Sequence, residues 1–332
     1  MLRRIIGGDS KAQVQAGPQA ARLERPGELN PSGWGAKGSG GEALSVIYKN
    51  PELTDYFAKL NFSADTPRAE IPSIVKAYEV GRVIEFPHLD LQIDHGFWAG
   101  LKTDDLTRLK KLSSSPTPGD PGNDPMLERR LAEAGVPWGL KRALKREITR
   151  LYERVLPVYE ALFAGYHFKR RQVVWRLNTI RNENMHVDTY VTQYTDHFAR
   201  LFINLDDQPR IWETSWTLDE LYARFGHKLP RDLVMNSEPG DIHRAINEAA
   251  YGGRSTVWWD KEPRHVCYFE PGDVWAVDSR QVSHQIFYGR RAVSIDFFVD
   301  PATMGKPKKH YLLTATRFRS QVRDGLIHAP AR

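Results

Sequence analysis

The sequence contains a single cysteine, Cys267, among its 332 residues. This excludes a disulfide framework and any zinc or iron–sulfur site built from several cysteines. It also lacks a run of about 18 apolar residues, so we expect no segment that spans a membrane. The first residues, MLRRIIGGDSKAQ, contain arginines but no apolar stretch of the kind that a secretory signal needs. These absences predict a cytoplasmic protein.

The composition predicts one large globular domain with a less structured segment at each end. Hydrophobic residues make up 41% of the chain and aromatic residues 11%, which rules out a wholly disordered protein. Residues 1–45 are rich in Gly, Pro, Ser and Ala and show no periodicity, so they are predicted to be a disordered tail. We expect a single domain over residues 46–305, with a helical layer at 46–166 and a jelly-roll core at 167–300. A basic C-terminal extension follows at 306–332.

The net charge of +6 is unevenly distributed along the chain. Residues 141–171 contain nine Lys or Arg against three Glu, and residues 301–332 contain seven basic residues against one acid. Such clusters attract anions, including the acidic surface of a membrane. Peripheral contact with an anionic membrane is therefore one expectation, whereas nucleic acid is not expected as a partner. The alternative is that these charges simply solvate a helix and a tail.

The pattern of apolar and polar residues changes near Phe168. Before it, apolar residues spaced three or four apart predict a long helix over Trp138–Ala164, and the Pro- and Ser-rich stretch Leu112–Pro125 is predicted to be a mobile loop. After it, short β-rich runs such as QVVWRL, FARLFINL and AVSIDFFVD alternate with turns. A helical insert, TLDELYARFGHKLP and GDIHRAINEAAYG, interrupts them. This pattern is typical of an all-β barrel or jelly roll.

Two His-x-Asp triplets are candidates for metal binding, His88-Leu89-Asp90 and His186-Val187-Asp188. The second lies in a predicted strand, where residues i and i+2 point to the same face and can hold one side of a metal ion. A third ligand must then come from another strand, and His284 is the candidate. The first triplet follows a proline, no barrel strand leads into it, and we interpret it as a turn.

Two imidazoles and one carboxylate on one face of a metal leave other coordination positions open. This is the geometry of non-haem Fe(II) oxygenases, whose open positions take a co-substrate and O2. A zinc hydrolase uses similar side chains. The plain alternative is that His186 is a core histidine and His284 a surface one.

An oxygenase that uses 2-oxoglutarate needs a cation for the far carboxylate of that acid, and arginine binds a carboxylate with two parallel hydrogen bonds. Arg200 is one candidate because it lies in an apolar strand, where a buried charge needs an anionic partner. Arg290 and Arg291, at the start of the last strand, are the other. The cavity is also expected to involve Asn204, Ser294, Trp175, Arg176 and Trp212.

Residues 77–300 resemble the Kdo hydroxylase family, the Fe(II)- and 2-oxoglutarate-dependent dioxygenases of Gram-negative bacteria. The similar segments are YEVGRVIEFPHLDL, VLPVYEALF, MHVD, RLFINLDDQPRIW and FEPGDVWAVDSRQVSHQIFYG. The family's metal-binding motifs fall on His186, Asp188 and His284. Its LRVFTN strand matches ARLFIN, which places Arg200 near the co-substrate, with Arg291, Asn204 and Ser294 as further candidates for co-substrate binding.

The resemblance implies a mainly β protein with some helix, built on a double-stranded β-helix (a jelly roll, cupin-like) with a helical N-terminal layer. It implies Fe(II), 2-oxoglutarate and O2 as cofactor and co-substrates, with ascorbate as a supporting reductant. The implied reaction is hydroxylation of an anionic substrate, the Kdo sugar of lipid A and lipopolysaccharide, at the inner membrane.

One departure from the family favours another substrate. Members usually continue HVDAFPSRP, whereas this chain reads HVDTYVTQY in a segment expected to lie beside the metal. An oxygenase of the same chemistry acting on another small molecule or on a protein side chain is therefore one alternative. A non-catalytic cupin-like binding module is a second.

Overall fold

Two mainly antiparallel sheets built from distant parts of the chain form the centre of the fold. The computed structural model describes residues 45–62, 66, 68–87, 89–102, 112–177, 182–189, 195–252 and 261–330. The predicted tail, apart from Ser45, lies outside these residues. The described helices and strands belong to one unit of the chain, Ala43–Arg332.

The larger sheet gathers strands from both halves of the chain. Its spatial order is β2 (Phe57–Lys59), β3 (Val83–Glu85), β11 (Val274–Ala276), β8 (His197–Asn204), β13 (Ala292–Val299), β6 (Val173–Arg176) and β4 (Leu112–Ser114), with β5 (Phe168–Arg170) also paired to β13. The smaller sheet has the order β1 (Val46–Tyr48), β10 (His265–Phe269), β9 (Arg210–Thr217), β12 (Val282–Tyr288) and β7 (Asn182–His186).

The last eight strands divide equally between the two sheets, as in a double-stranded β-helix. Strands β6, β8, β11 and β13 lie in the larger sheet, and β7, β9, β10 and β12 lie in the smaller one. All pairs among these strands are antiparallel. The predicted jelly roll is confirmed.

Helices cover the sheets and insert between strands. They are α1 (Ile71–Glu79), α2 (His95–Gly100), α3 (Pro125–Glu133), α4 (Trp138–Leu162), α5 (Leu218–Phe225), α6 (Arg231–Asn236), α7 (Pro239–Tyr251) and α8 (Tyr311–Arg323). None of the helices in the described part of the chain combines the length and apolar character needed to cross a membrane.

Helix α4 packs on the outer face of the larger sheet. Its buried residues Leu144, Ile148 and Val155 share one hydrophobic core with Val293 and Ile295 of β13. Because side chains alternate along a strand, the residues between these two β13 positions point the other way, into the space between the sheets. The larger sheet therefore has one apolar face under α4 and one face available for a site.

A second hydrophobic core joins α5–α7 to the C-terminal helix α8. Tyr311, Ala315, Phe318 and Val322 of α8 are buried in it. The basic C-terminal residues therefore include a packed helix that is part of the fold.

Three short strands lie where the sequence suggested otherwise. Leu112–Ser114, at the start of the predicted mobile loop, forms β4 and pairs with β6. The predicted helical layer also contains β1 and β2, while β3 falls within the short strand that Arg82–Phe86 predicts. Strands of three residues are too short to show a clear periodicity, and their pairing partners are far away in sequence.

Candidate active site

Two histidines and one aspartate converge at one end of the space between the sheets. His186 ends β7 and pairs across the smaller sheet with His284 of β12. Their ring centroids are 4.8 Å apart, and His186 Nε2 lies 3.3 Å from Asp188 Oδ1. One ligand atom from each of the three residues lies within 4.8 Å of the others, which suits a single metal ion.

Backbone carbonyls fix the tautomers of both histidines. His186 Nδ1 lies 2.6 Å from Asn184 O, and His284 Nδ1 lies 3.2 Å from Val282 O. A carbonyl oxygen can only accept, so each Nδ1 carries the proton and donates it. Each Nε2 then keeps its lone pair for a metal, which is the usual arrangement around metal-binding histidines.

The charge states of the triad also suit a cation. Burial lowers the pKa of His284 to about 4, so this imidazole is neutral at physiological pH. Burial alone would raise the pKa of Asp188, but the nearby Arg200 charge holds that pKa well below its usual value. The triad therefore presents one carboxylate and a neutral His284.

A cavity of about 110 Å³ opens beside the triad. Its wall takes residues from both sheets: Gln172, Val174, Arg176, His186, Asp188, Phe198, Arg200, Phe202, Trp212, His284, Ile286, Asp296 and Phe298. The structure thus brings the predicted triad together with Arg200, Arg176 and Trp212. Trp212 stacks on the His284 ring at 5.3 Å.

Arg200 lies at the triad end of the cavity and contacts two carboxylates. Its guanidinium hydrogen-bonds to Asp188 and to the Ser279 hydroxyl, and its Nε lies 3.1 Å from Asp296 Oδ1. Ser279 also donates to Asp188 at 2.6 Å. The predicted need of this buried arginine for an anionic partner is met within the protein.

Ser294 connects Arg200's partner to a second arginine. Arg176 Nη1 donates to Ser294 Oγ at 2.9 Å, and Ser294 Oγ donates to Asp296 Oδ2 at 3.0 Å. A continuous row of polar contacts thus runs along the larger sheet from Arg176 to Asp188. Ser279 and Asp296 were not singled out from the sequence. The signal that could have identified Asp296 is a charged residue inside the apolar run AVSIDFFV.

Other predicted residues lie away from the cavity. Arg291 donates to the carbonyls of Trp98 and Leu101, beneath α2, at 3.3 and 2.8 Å. Arg290 forms a two-point ion pair with Asp206. Arg291 leaves β13 on the face opposite Asp296, since these positions differ by an odd number of residues.

Asn204 and Trp175 have structural contacts. The Asn204 amide donates to Gln208 O at 2.9 Å and Phe269 O at 3.0 Å, which ties a turn together. Trp175 is buried under α4 and donates to Ser114 Oγ at 2.8 Å.

The competing triplet forms a turn where it is described. Asp90 accepts from the Gln92 backbone at 2.7 Å, as expected of a turn residue. His88 lies outside the described residues, and so do residues 190–194 of the segment that departs from the family pattern.

Solved structures of a Kdo hydroxylase match this fold. KdoO in complex with succinate and Fe(III) matches with a TM-score of 0.56 and 16% identity, over 79% of this chain and 95% of that chain. Its complex with alphaketoglutarate and Fe(III) matches with a TM-score of 0.55 and 16% identity, over 82% and 97% of the two chains. No protein-family model and no curated protein matches the sequence. At 16% identity, this similarity shows that the fold is shared, and it confirms the predicted resemblance for the fold.

Proposed function

We propose that this protein is a non-haem Fe(II)- and 2-oxoglutarate-dependent dioxygenase. The observation that carries the proposal is the convergence of His186, Asp188 and His284 at a cavity inside a double-stranded β-helix. Two imidazoles and one carboxylate on one face are the ligand set of this class.

The three residues fit an iron ion in this structure. Both Nε2 atoms are free of protons because each Nδ1 donates to a carbonyl, and Asp188 is held ionised. Fe(II) in such a site supplies the activation of O2, coupled to conversion of 2-oxoglutarate to succinate and CO2. A zinc hydrolase is less consistent with this fold, because the similar KdoO is a non-heme Fe(II) alphaketoglutarate dependent dioxygenase.

The protein's own groups hold and orient the reactants. Arginines of the cavity wall supply the cation that the far carboxylate of 2-oxoglutarate requires. Phe198 and Phe298, in contact at 4.4 Å between ring centroids, form an apolar part of the wall next to the triad. Apolar groups there limit water around the reacting atoms.

We further propose an anionic, lipid-linked sugar as the substrate, with the Kdo sugar of lipid A as the first candidate. The similarity of the fold to KdoO, a Kdo hydroxylase, and the two arginines of the cavity wall support this substrate class. The exposed side of α4, which carries Trp138 and several arginines, supports peripheral contact with an anionic membrane at the cytoplasmic face.

Two measurements test the function. Purified protein with Fe(II) should convert 2-oxoglutarate to succinate slowly without substrate, and His284→Ala should abolish this conversion. A cupin-like binding module would show none. Mass analysis of lipid A from a strain lacking and then regaining the protein should show the gain of one oxygen atom. Turnover of 2-oxoglutarate with unchanged lipid A would indicate the same chemistry on another substrate.

A further inference from the structure

We propose that Asn247, on α7, is a positioning residue for the metal ligands His186 and Asp188. It acts through Val187, the residue that lies between them in the sequence. The inference rests on the proposed function, because it gives the helical insert α5–α7, between β9 and β10, the task of holding one side of the iron site. Asn247 is not among the residues predicted from the sequence.

The Asn247 side chain makes two hydrogen bonds to the backbone of Val187. The Val187 N–H donates to Asn247 Oδ1 at 3.0 Å, and Asn247 Nδ2 donates to the Val187 carbonyl at 2.9 Å. The carboxamide thus offers one donor and one acceptor to a single residue, as a neighbouring strand would. Among the described strands, β7 is the last in the order of the smaller sheet, and an edge strand leaves backbone groups without a strand partner. Asn247 takes the place of that partner where the metal-binding triplet leaves β7.

The side chain of Val187 is also held by the insert. Val187 is 1% exposed and belongs to the hydrophobic core that α5–α7 form with α8. Met185, two residues earlier, lies in the same core. Because side chains alternate along an extended chain, His186 and Asp188 point the other way, and both line the cavity. The insert therefore fixes the residue between the two ligands through its backbone and through its side chain.

Ser279 holds the next residue of the triplet from another direction. Its carbonyl accepts the Asp188 N–H at 2.9 Å, and its hydroxyl donates to Asp188 Oδ2 at 2.6 Å. Backbone groups of consecutive residues in an extended chain point to opposite sides, so Asn247 and Ser279 contact the triplet from different sides. Loss of the Asn247 contact would let the backbone at Val187 shift, and both ligands adjoin that residue.

A purely structural role for Asn247 predicts a different result from a positioning role. The loss of any hydrogen bond to a buried backbone group lowers stability. Only the loss of a positioning contact also changes the metal site of the folded protein, because outer contacts orient the ligands. The test therefore compares metal binding in variants that each weaken the insert.

Co(II) binding to the full-length protein, followed by absorption, tests the role without relying on turnover. Asn247→Ala should weaken Co(II) binding about 10- to 100-fold, the range typical of losing an outer contact of a ligand, and should alter the Co(II) spectrum. Asn247→Asp keeps the size of the side chain, but its carboxylate cannot donate to the Val187 carbonyl, so the spectrum should change there too.

Ile242→Val is the matched control on the same helix. Ile242 is fully buried in the core of the insert, so its shortening should lower stability. It should leave the Co(II) affinity and the Co(II) spectrum as in wild type, because the hydrogen bonds to Val187 remain.

Hydrogen exchange of the wild-type protein measures the same coupling without a variant. If α7 holds the ligands through Val187, metal binding must in turn hold α7, because coupling between two sites is reciprocal. The backbone amides of α7 should exchange more slowly when Co(II) is bound. Those of α3, which packs in the other hydrophobic core, should exchange at an unchanged rate.

The outcomes separate this inference from the proposed function. A wild-type Co(II) affinity and spectrum in Asn247→Ala would overturn the inference, and so would equal changes in Ile242→Val. If neither Asn247 variant folds, hydrogen exchange decides, and α7 amides that exchange equally with and without Co(II) would overturn it. Wild-type protein that binds Co(II) but does not convert 2-oxoglutarate when loaded with Fe(II) would overturn the proposed function and leave the role of Asn247 toward the metal intact.

Discussion

His186, Asp188 and His284 each offer one ligand atom, so alanine at any of them removes one of three protein bonds to a metal. Loss of a hydrogen-bond partner of a ligand typically lowers metal affinity about 10- to 100-fold. We expect each alanine variant, which loses the ligand itself, to show a larger decrease. Titration with Co(II), followed by absorption, measures this. His88→Ala and Asp90→Ala, in the competing triplet, should titrate like wild type, and reduced affinity there would contradict the choice between the two triplets.

At the scale of residues, the pairing of His186 with Asp188 was accessible from sequence because the relation between them is local. Residues i and i+2 of a strand share a face, and this relates His186 to Asp188 directly. The partners of Arg200 were not accessible. Asp296 meets Arg200 only through the register of β8 against β13, and Arg291 faces α2 through the same alternation. The need for an anion near Arg200 was predictable, but its source was not.

At the scale of elements, the contact between α8 and the end of α5 offers a sharp test. A Cβ added at Gly226 would lie 2.5 Å from Phe318 Cε2, although the backbone there is ordinary right-handed helix. We expect Gly226→Ala to destabilise the protein by about 1–3 kcal/mol, the usual cost of overpacking. Urea unfolding measures the change.

Gly139 provides the matched control within a helix. It lies in the first turn of α4, and a Cβ there would meet nothing within 4 Å. Gly139→Ala should be neutral or stabilising by up to about 1 kcal/mol, because alanine has the higher helix propensity. Gly226→Ala combined with Phe318→Leu should recover part of the loss. Equal stability of the Gly226→Ala and Gly139→Ala variants would contradict the close packing of α8.

The longer elements were predictable and the shorter ones were not. The α4 boundaries agree with the predicted helix to within two residues, since its apolar stripe repeats over many turns. Strand β4 carries LSS, and the Ser-rich sequence after it indicates a loop. It forms a strand because β6 offers a pairing edge and Ser114 accepts the Trp175 indole N–H. Tertiary contacts therefore decide the state of this segment.

At the scale of the whole molecule, buried histidines predict a loss of stability in mild acid. Burial lowers the pKa of His197 and His243 to about 3 and that of His284 and His310 to about 4. In the unfolded chain these groups take up protons near pH 6.5, so the unfolded state binds more protons below that pH. Each histidine thus lowers the free energy of unfolding by up to about 1.4 kcal/mol for each pH unit by which the pH falls. Asp273 opposes them, since burial raises its pKa to about 7.

Urea unfolding between pH 7.5 and 4.5 measures this dependence. His243→Gln keeps a hydrogen-bond partner for Tyr222 and removes one titrating group. The free energy of unfolding should then depend less steeply on pH, by the contribution of one bound proton. A stability that stays constant over this range, or an unchanged slope in His243→Gln, would contradict the burial of these imidazoles as neutral groups.

The exposed face of α4 carries features of a membrane-binding surface. Its stripe at four-residue spacing consists of Trp138, Arg142, Arg146 and Arg150, with Trp138 74% exposed and the Arg142 guanidinium 5.7 Å from its ring centre. Arg146 and Arg150 share the buried Glu147, so the stripe keeps a net positive charge. Tryptophan favours the membrane interface, and each basic residue near anionic lipid contributes about 1 kcal/mol.

We therefore expect full-length protein to bind vesicles that contain anionic phospholipid and not to bind neutral vesicles. Replacing the three stripe arginines with glutamine should weaken binding about tenfold or more and reduce its salt dependence, since exposed charges are screened over about 8 Å at physiological ionic strength. Cosedimentation at two salt concentrations measures both effects. Trp138→Ala should weaken binding while leaving the salt dependence unchanged, because the indole contributes through burial and not through charge.

The control for charge alone neutralises three exposed arginines elsewhere, Arg129, Arg244 and Arg323. It changes the net charge by the same amount and leaves the stripe intact. If binding depended only on net charge, both triple variants would weaken it equally, and the α4 charges would then serve to solvate the helix. A selective loss in the stripe variant requires a defined surface, because long-range attraction depends on total charge whereas close contact with headgroups depends on where that charge lies.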